Sequence, residues 1–157
     1  MALRILISGD DPILRGKSRE VSVFNERLHQ LLDDMHETML AADGVGLAAV
    51  QVGVLRRVVV IDIGEGRIEL INPVITEKSE ETVDMAEGCL SFPEERGLVE
   101  RPQKVTAQAF DRNGNLFSIT GENLLARAIC HELDHLDGAV FLDIARPIPP
   151  PEQEKQG

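Results

Sequence analysis

Residues 129–138 read "ICHELDHLDG" and set His131 and His135 four positions apart, with Glu132 between them. On a helix of about 3.6 residues per turn, positions i and i+4 lie on one face, so two imidazoles there offer two corners of a metal site. H-E-x-x-H on a helix is the pattern of metal-assisted hydrolysis: two nitrogen ligands and, beside them, a carboxylate placed to act as general base. A catalytic tetrahedral site takes a third protein ligand and leaves a fourth position for water.

The third ligand has to be sought upstream. The extended zinc-protease pattern needs a histidine at position 141, where Phe141 stands, and only Glu152 and Glu154 follow, in a tail broken by prolines. His29 and His36 fall on an amphipathic helical stretch and read as its solvent-facing residues. Cys130 adjoins His131, and a step of one residue turns it roughly 100° off the metal face, so it reads as a small buried thiol. Cys89 remains, in "AEGCLSFPEERG", where a Gly before it and a Pro soon after mark an irregular segment in which backbone can approach a ligand. Cys89, His131 and His135 then make a Cys-His-His set, which accepts Zn²⁺, Fe²⁺, Co²⁺ or Ni²⁺.

These residues need a frame. "FNERLHQLLDDMHETMLAADG" predicts the first long helix, with Leu28, Leu31, Leu32, Met35 and Met39 at helical spacing, Asn25 as N-cap and Gly44 as stop. "RRVVVIDI" and "RIELINPVI" predict strands, as do "KVTAQAF" and "LFSIT" on either side of "DRNGN", where Asn113-Gly114 signals a hairpin turn. A second helix starts at Thr120 or Asn123 and runs to Gly138. Apolar residues surround most of it, which predicts burial. Two His, a Glu and two Asp on a buried helix are costly unless paired or bound. Asp134 is accordingly expected to be bonded to backbone near the site. Together these segments predict an α+β fold of one domain, mostly antiparallel strands around a buried central helix carrying HExxH, plus an N-terminal helix. The domain is placed at 1–146 and the polar, Pro-rich stretch 147–157 is read as an extended or disordered tail.

Composition narrows the partners. The chain has 157 residues, a net charge of −11, no Trp or Tyr and five Phe. An acidic surface without aromatic stacking platforms argues against nucleic acid and anionic membranes. "MALRILISGDDP" lacks the apolar core of a secretory signal and no stretch approaches the ~20 apolar residues of a membrane span. With two cysteines that read as reduced thiols, the expectation is a soluble cytoplasmic protein.

Three segments carry a resemblance. "GVGLAAVQVG" (44–53), "EGCLSFPE" (87–94) and "HELDHLDG" (131–138) resemble, in order and separation, the signature motifs of the peptide deformylases. Weaker likeness runs from "DDPILR" near the start to "FLD" at 141–143. The resemblance implies hydrolytic removal of the formyl group from the formyl-methionine that begins new polypeptides, with formate released. It implies Fe²⁺ in the cell, and Zn²⁺, Ni²⁺ or Co²⁺ in purified material. It gives Glu132 as general base, with the Gln51 amide and the Leu90 backbone N–H as oxyanion donors. Backbone at Gly46 and Gly88 would hold the substrate as an added strand, and Val45, Arg96, Leu124 and Arg127 would line the methionine pocket beside the His131 ring. Some relatives dock on the ribosome through a basic C-terminal helix; the tail here, with three consecutive prolines, does not match one, so only transient proximity is implied. Two departures stand out: Cys130 where Gln is frequent, and Phe92 where a branched aliphatic residue is. The rival readings are a non-catalytic peptide- or metal-binding relative, which should lack Glu132 or Gln51, and a zinc peptidase, which should have a downstream ligand.

Overall fold

The computed structural model describes residues 2–149. Its long elements are α1 (Glu26–Ala41), β1 (Gly46–Ala48), β2 (Val58–Ile61), β3 (Ile68–Lys78), β4 (Thr82–Cys89), β5 (Phe92–Pro102), β6 (Lys104–Phe110), β7 (Leu116–Glu122) and α2 (Leu124–Leu136). Five strands form an antiparallel sheet in the order β1-β2-β3-β6-β7, and β4 with β5 forms a separate two-stranded sheet. The expected α+β class holds.

Period-two alternation in β2 explains how the large sheet binds both helices. Val58 and Val60 join Leu28, Leu31, Leu32, Met35 and Met39 of α1 on one face. Val59 and Ile61 face the other way, toward Ala126, Ile129, Leu133 and Leu136 of α2. All four β2 residues are fully buried, each contributing about 1.5–3 kcal/mol relative to exposure. The predicted hairpin turn is present: Gly114 has φ 84°, which glycine adopts without steric cost, and Asp111 Oδ1 accepts from the Asn113 and Asn115 amides.

Local differences from the sequence reading have identifiable causes. Asn25 caps α1, accepting from the Leu28 amide at 3.1 Å, but the left-handed residue after the helix is Asp43, φ 59°, one position before Gly44. Thr120 lies inside β7, so the second helix begins after Asn123. Residues 82–102, expected to be irregular around Cys89, form the β4–β5 hairpin instead. Its pairing shifts register between Glu87 and Cys89, and Leu90-Ser91 makes a two-residue turn between Cys89 and Phe92. The hairpin was hidden because one face of β4 is solvated and its turn has no Gly, Asn or Asp. Arg146 exchanges two backbone bonds with Leu98, both 2.8 Å, on the other edge of β5. Residues 147–149 are exposed, and the rest of the tail, 150–157, lies outside the described residues.

Candidate metal centre

α2 and the β4–β5 turn meet at three side chains. One ligand atom from each of Cys89, His131 and His135 lies within 4.8 Å of the others, and among the described residues this is the only such group. Cys89 Sγ and His135 Nε2 are 3.3 Å apart. A tetrahedral ion with a bond of about 2.3 Å to sulfur and about 2.0–2.1 Å to nitrogen separates two such atoms by about 3.5 Å, so the spacing fits the donor set. Cys130 is buried elsewhere, its thiol pushed up by burial. His29 Nε2 donates to the Arg112 carbonyl at 2.7 Å and His36 pairs with Asp62 at 3.0 Å; both are half-buried rather than solvent-facing, and neither joins the cluster.

The His131 ring is fixed from behind. Its Nδ1 lies 2.8 Å from Glu87 Oε1, which assigns the proton to that nitrogen and leaves Nε2 toward the cluster. Glu87 is buried and also accepts from Arg101 Nε at 2.9 Å, from Arg101 Nη2 at 3.1 Å and from Arg127 Nη1. Burial raises the Glu87 carboxyl, but His131 and Arg101 more than reverse that and hold it at about 2. Arg101 Nη1 then reaches Asp134 Oδ2 at 2.7 Å, so Asp134 is half-exposed and bonded to a side chain, not to backbone as expected. The sequence reading missed Glu87 and Arg101. Glu87 lies two positions before Cys89, and strand periodicity puts such residues on one face, which was the available signal. Arg101 had no local signal.

On the other side the His131 ring stacks on Phe141, centroids 5.9 Å apart, and Phe92 meets Phe141 edge-on at 6.1 Å. Gly9 accommodates the unusual Phe92: a Cβ there would lie 2.1 Å from the Phe92 ring.

Two polar atoms near the cluster are left without partners: Glu132 Oε1, on a residue that lines the cavity, and His135 Nδ1, the ring nitrogen other than the one facing Cys89, are buried and make no hydrogen bond among the described residues. Burial lifts the Glu132 carboxyl to about 7, against the pull of His131. Burial, and then the charge of His131, lowers His135 to about 3 and keeps it neutral. For His131 burial works downward too, but Glu132, Cys89 and Glu87 outweigh it and lift the ring to about 10, so a cation taken up here must displace that proton. Gly46 lets Glu132 into place, since a Cβ on Gly46 would lie 2.6 Å from Glu132 Oε2.

Gln51 is fully buried; its Oε1 accepts from the Ala48 amide at 2.9 Å, and its Nε2 points at Cys89 Sγ at 3.4 Å and Ser91 Oγ at 3.2 Å. The Leu90 N–H, in the hairpin turn, is bonded to no other backbone group among the described residues. A cavity of about 530 Å³ opens beside the cluster, and Val45, Gly46, Gly88, Arg96, Leu124 and Arg127 all line it. Arg96 is exposed. Arg127 is no surface ion pair: its guanidinium is buried and donates to Glu87 and to the Val99 and Val83 carbonyls.

The profile of the polypeptide deformylase family matches residues 3–150. A peptide deformylase of Caldicellulosiruptor bescii is 60% identical over 143 residues, covering 91% of this chain and 86% of that protein. One from Acetivibrio thermocellus is 53% identical, covering 99% and 92%. The crystal structure of peptide deformylase from Thermotoga maritima superposes with a TM-score of 0.90 at 39% identity, covering 92% of this chain and 99% of that one. The Synechococcus elongatus enzyme in complex with actinonin superposes at 0.88 and 39% identity, covering 91% and 79%.

Proposed function

Because the chain belongs to the polypeptide deformylase family, metal-dependent enzymes that remove the formyl group from the N-terminus of new polypeptides, we propose that Cys89, His131 and His135 hold its metal and that Glu132 is its general base. The observation that carries this reading is the convergence of one sulfur and two imidazoles beside a buried carboxylate that has no partner for Oε1. No helix among the described residues is long and apolar enough to cross a membrane, and we place the enzyme in the cytoplasm, where its formylmethionyl substrates are made. We assign the catalytic unit to 1–146 and infer no more than transient proximity to the ribosome.

When bound, the metal supplies Lewis acidity and lowers the pKa of a coordinated water from ~16 to ~7. Everything else falls to the chain. Glu132 takes the proton of the attacking water and returns it to the amine as the C–N bond of the formamide breaks and formate leaves. The Gln51 side-chain N–H and the Leu90 backbone N–H stabilise the charge developing on the formyl oxygen, each worth about 10²–10³ in rate. Backbone at Gly46 and Gly88 aligns the peptide, while Val45, Leu124, Arg127 and Arg96 enclose the methionine side chain. Glu87 holds His131 in the tautomer that presents Nε2. Fe²⁺ is assigned as the metal in the cell; Zn²⁺, Ni²⁺ and Co²⁺ suit the same soft donor set in purified protein.

Formate release from a formyl-Met peptide tests the reading, with enzyme purified anaerobically and loaded with each metal in turn. The iron form should turn over fastest. Cleavage of an internal amide without formate would instead identify a peptidase.

A further inference from the structure

A second concavity lies away from the metal cluster, where the segment before α1 crosses the first turns of that helix. It encloses about 410 Å³, and its lining includes Arg4, Arg27 and Arg56 but no carboxylate. That is unexpected in a chain with 27 acidic residues against 16 basic ones. Arginines elsewhere on the surface meet carboxylates: Arg112 meets Glu69 and Asp33, and Arg67 meets the same two. In this groove Arg4 pairs with Asp34, but Arg27 and Arg56 are exposed and make no ion pair among the described residues. Two exposed guanidiniums lining one groove without a counter-charge make a positive surface that an anionic partner complements.

Two further features say what kind of anion. The floor is aliphatic, formed by Val21, Leu28, Leu31 and Val54, and no aromatic ring is present for a nucleobase to stack on. One wall is the segment at Ser22–Val23, outside any helix or strand, whose backbone N–H and C=O groups are bonded to nothing among the described residues. Its neighbour Val21 is held at both ends by the Asn72 side chain, Oδ1 accepting from the Val21 amide at 2.8 Å and Nδ2 donating to its carbonyl at 2.9 Å. The wall is therefore anchored while its free backbone groups remain available, which suits pairing with an added extended chain. We propose that this groove docks an extended acidic segment of another protein, with aliphatic side chains in the floor and carboxylates on Arg27 and Arg56.

The test is fluorescence anisotropy with a labelled Glu-Val-Asp-Leu-Glu-Val-Asp peptide, run beside its Gln/Asn analogue and a short oligo-uridylate. The acidic peptide should bind with a Kd near ~100 μM or tighter, weaken as salt rises, and lose about tenfold or more with Arg27→Glu/Arg56→Glu. The Gln/Asn analogue should bind at least about tenfold more weakly. Formate release from a short formyl-Met peptide should stay within about twofold in that variant, since neither arginine lines the metal cavity. Chemical-shift changes at Ser22 and Val23 would locate the peptide. No binding at millimolar peptide, unchanged binding by the double variant, or tighter binding of the oligo-uridylate each overturns the proposal. So does a dimer in sedimentation that the double variant dissolves, because the occupant would then be a second copy of this chain.

Discussion

Two buried carboxylates flank the same histidine and live in opposite surroundings. Glu87, behind His131, has every oxygen engaged by Arg101, Arg127 and the ring, and its carboxyl is held at about 2. Glu132, in front, is equally buried, has an oxygen with no partner, and is lifted to about 7. Burial pushes both upward; what separates them is that two guanidiniums hydrogen-bond Glu87, whereas Glu132 has, among the described residues, only the His131 ring, 4.0 Å away. The paired region fixes geometry, because breaking any of its bonds strands a buried charge. The unpaired region keeps a carboxylate whose proton affinity sits near neutral pH, as a group that must both take and give a proton requires. One side of His131 is built to be still and the other to react.

The largest expected effect comes from removing the point where the two regions meet. Cys89→Ala should abolish stoichiometric metal binding, read by elemental analysis after dialysis, and formate release with it. Full metal content in that variant would move the site elsewhere. Glu132→Gln should be cleaner: metal content unchanged, but turnover down by about 10²–10⁴, the usual contribution of a positioned general base. Loss of metal in Glu132→Gln would mean that this carboxylate belongs with the holding side and that the division is drawn wrongly.

Glu87→Gln acts on that holding side. It should weaken metal affinity by about 10–100-fold through misorientation of His131, and lower stability by about 3–5 kcal/mol, because the buried Arg127 loses its only carboxylate among the described residues and Arg101 keeps Asp134 alone. Its pH signature has a definite sign. The Glu87 carboxyl lies lower in the folded state than in the unfolded chain, so the unfolded chain takes up the proton first as pH falls. The stabilisation is present above about pH 4.5 and drains away toward about pH 2, roughly 3 kcal/mol in all. Denaturant melts of metal-free protein across that window should show the slope in the parent chain and a flatter line in Glu87→Gln. Equal slopes would place the acid sensitivity in other carboxylates.

The same contrast explains what could be read from the amino-acid order. Residues that act through local spacing were legible: His131, Glu132 and His135 on a buried helix, the Asn113–Gly114 turn, and the apolar stripe of α1. Cys89 was reached by excluding the other donors, although its setting was misjudged, because Leu90-Ser91 carries none of the usual turn residues. The holding network was not legible, since Glu87, Arg101, Arg127 and Asp134 are joined only after β4 and β5 pair and α2 packs against them. Nor was the reason for Gly46, which depends on where Glu132 comes to lie across the fold. The chemistry is written in short-range pattern, whereas its support is written in contacts between distant segments.

The smallest expected effect tests where the reactive side ends. Cys130 precedes a proposed ligand by one residue, yet a step of about 100° around the helix turns its sulfur away from the cluster and into the apolar layer under the large sheet. Burial raises its thiol, so it stays protonated and uncharged, unsuited to holding a cation. Cys130→Ala should therefore keep full metal content and keep kcat/KM within about twofold, losing only the packing of one sulfur, about 1 kcal/mol. A tenfold fall in kcat at full metal content would mean that this position, through the neighbouring Arg101 and Asp134, helps set the His131 ring. The boundary between support and chemistry would then run through α2 one residue earlier than the geometry of the cluster indicates.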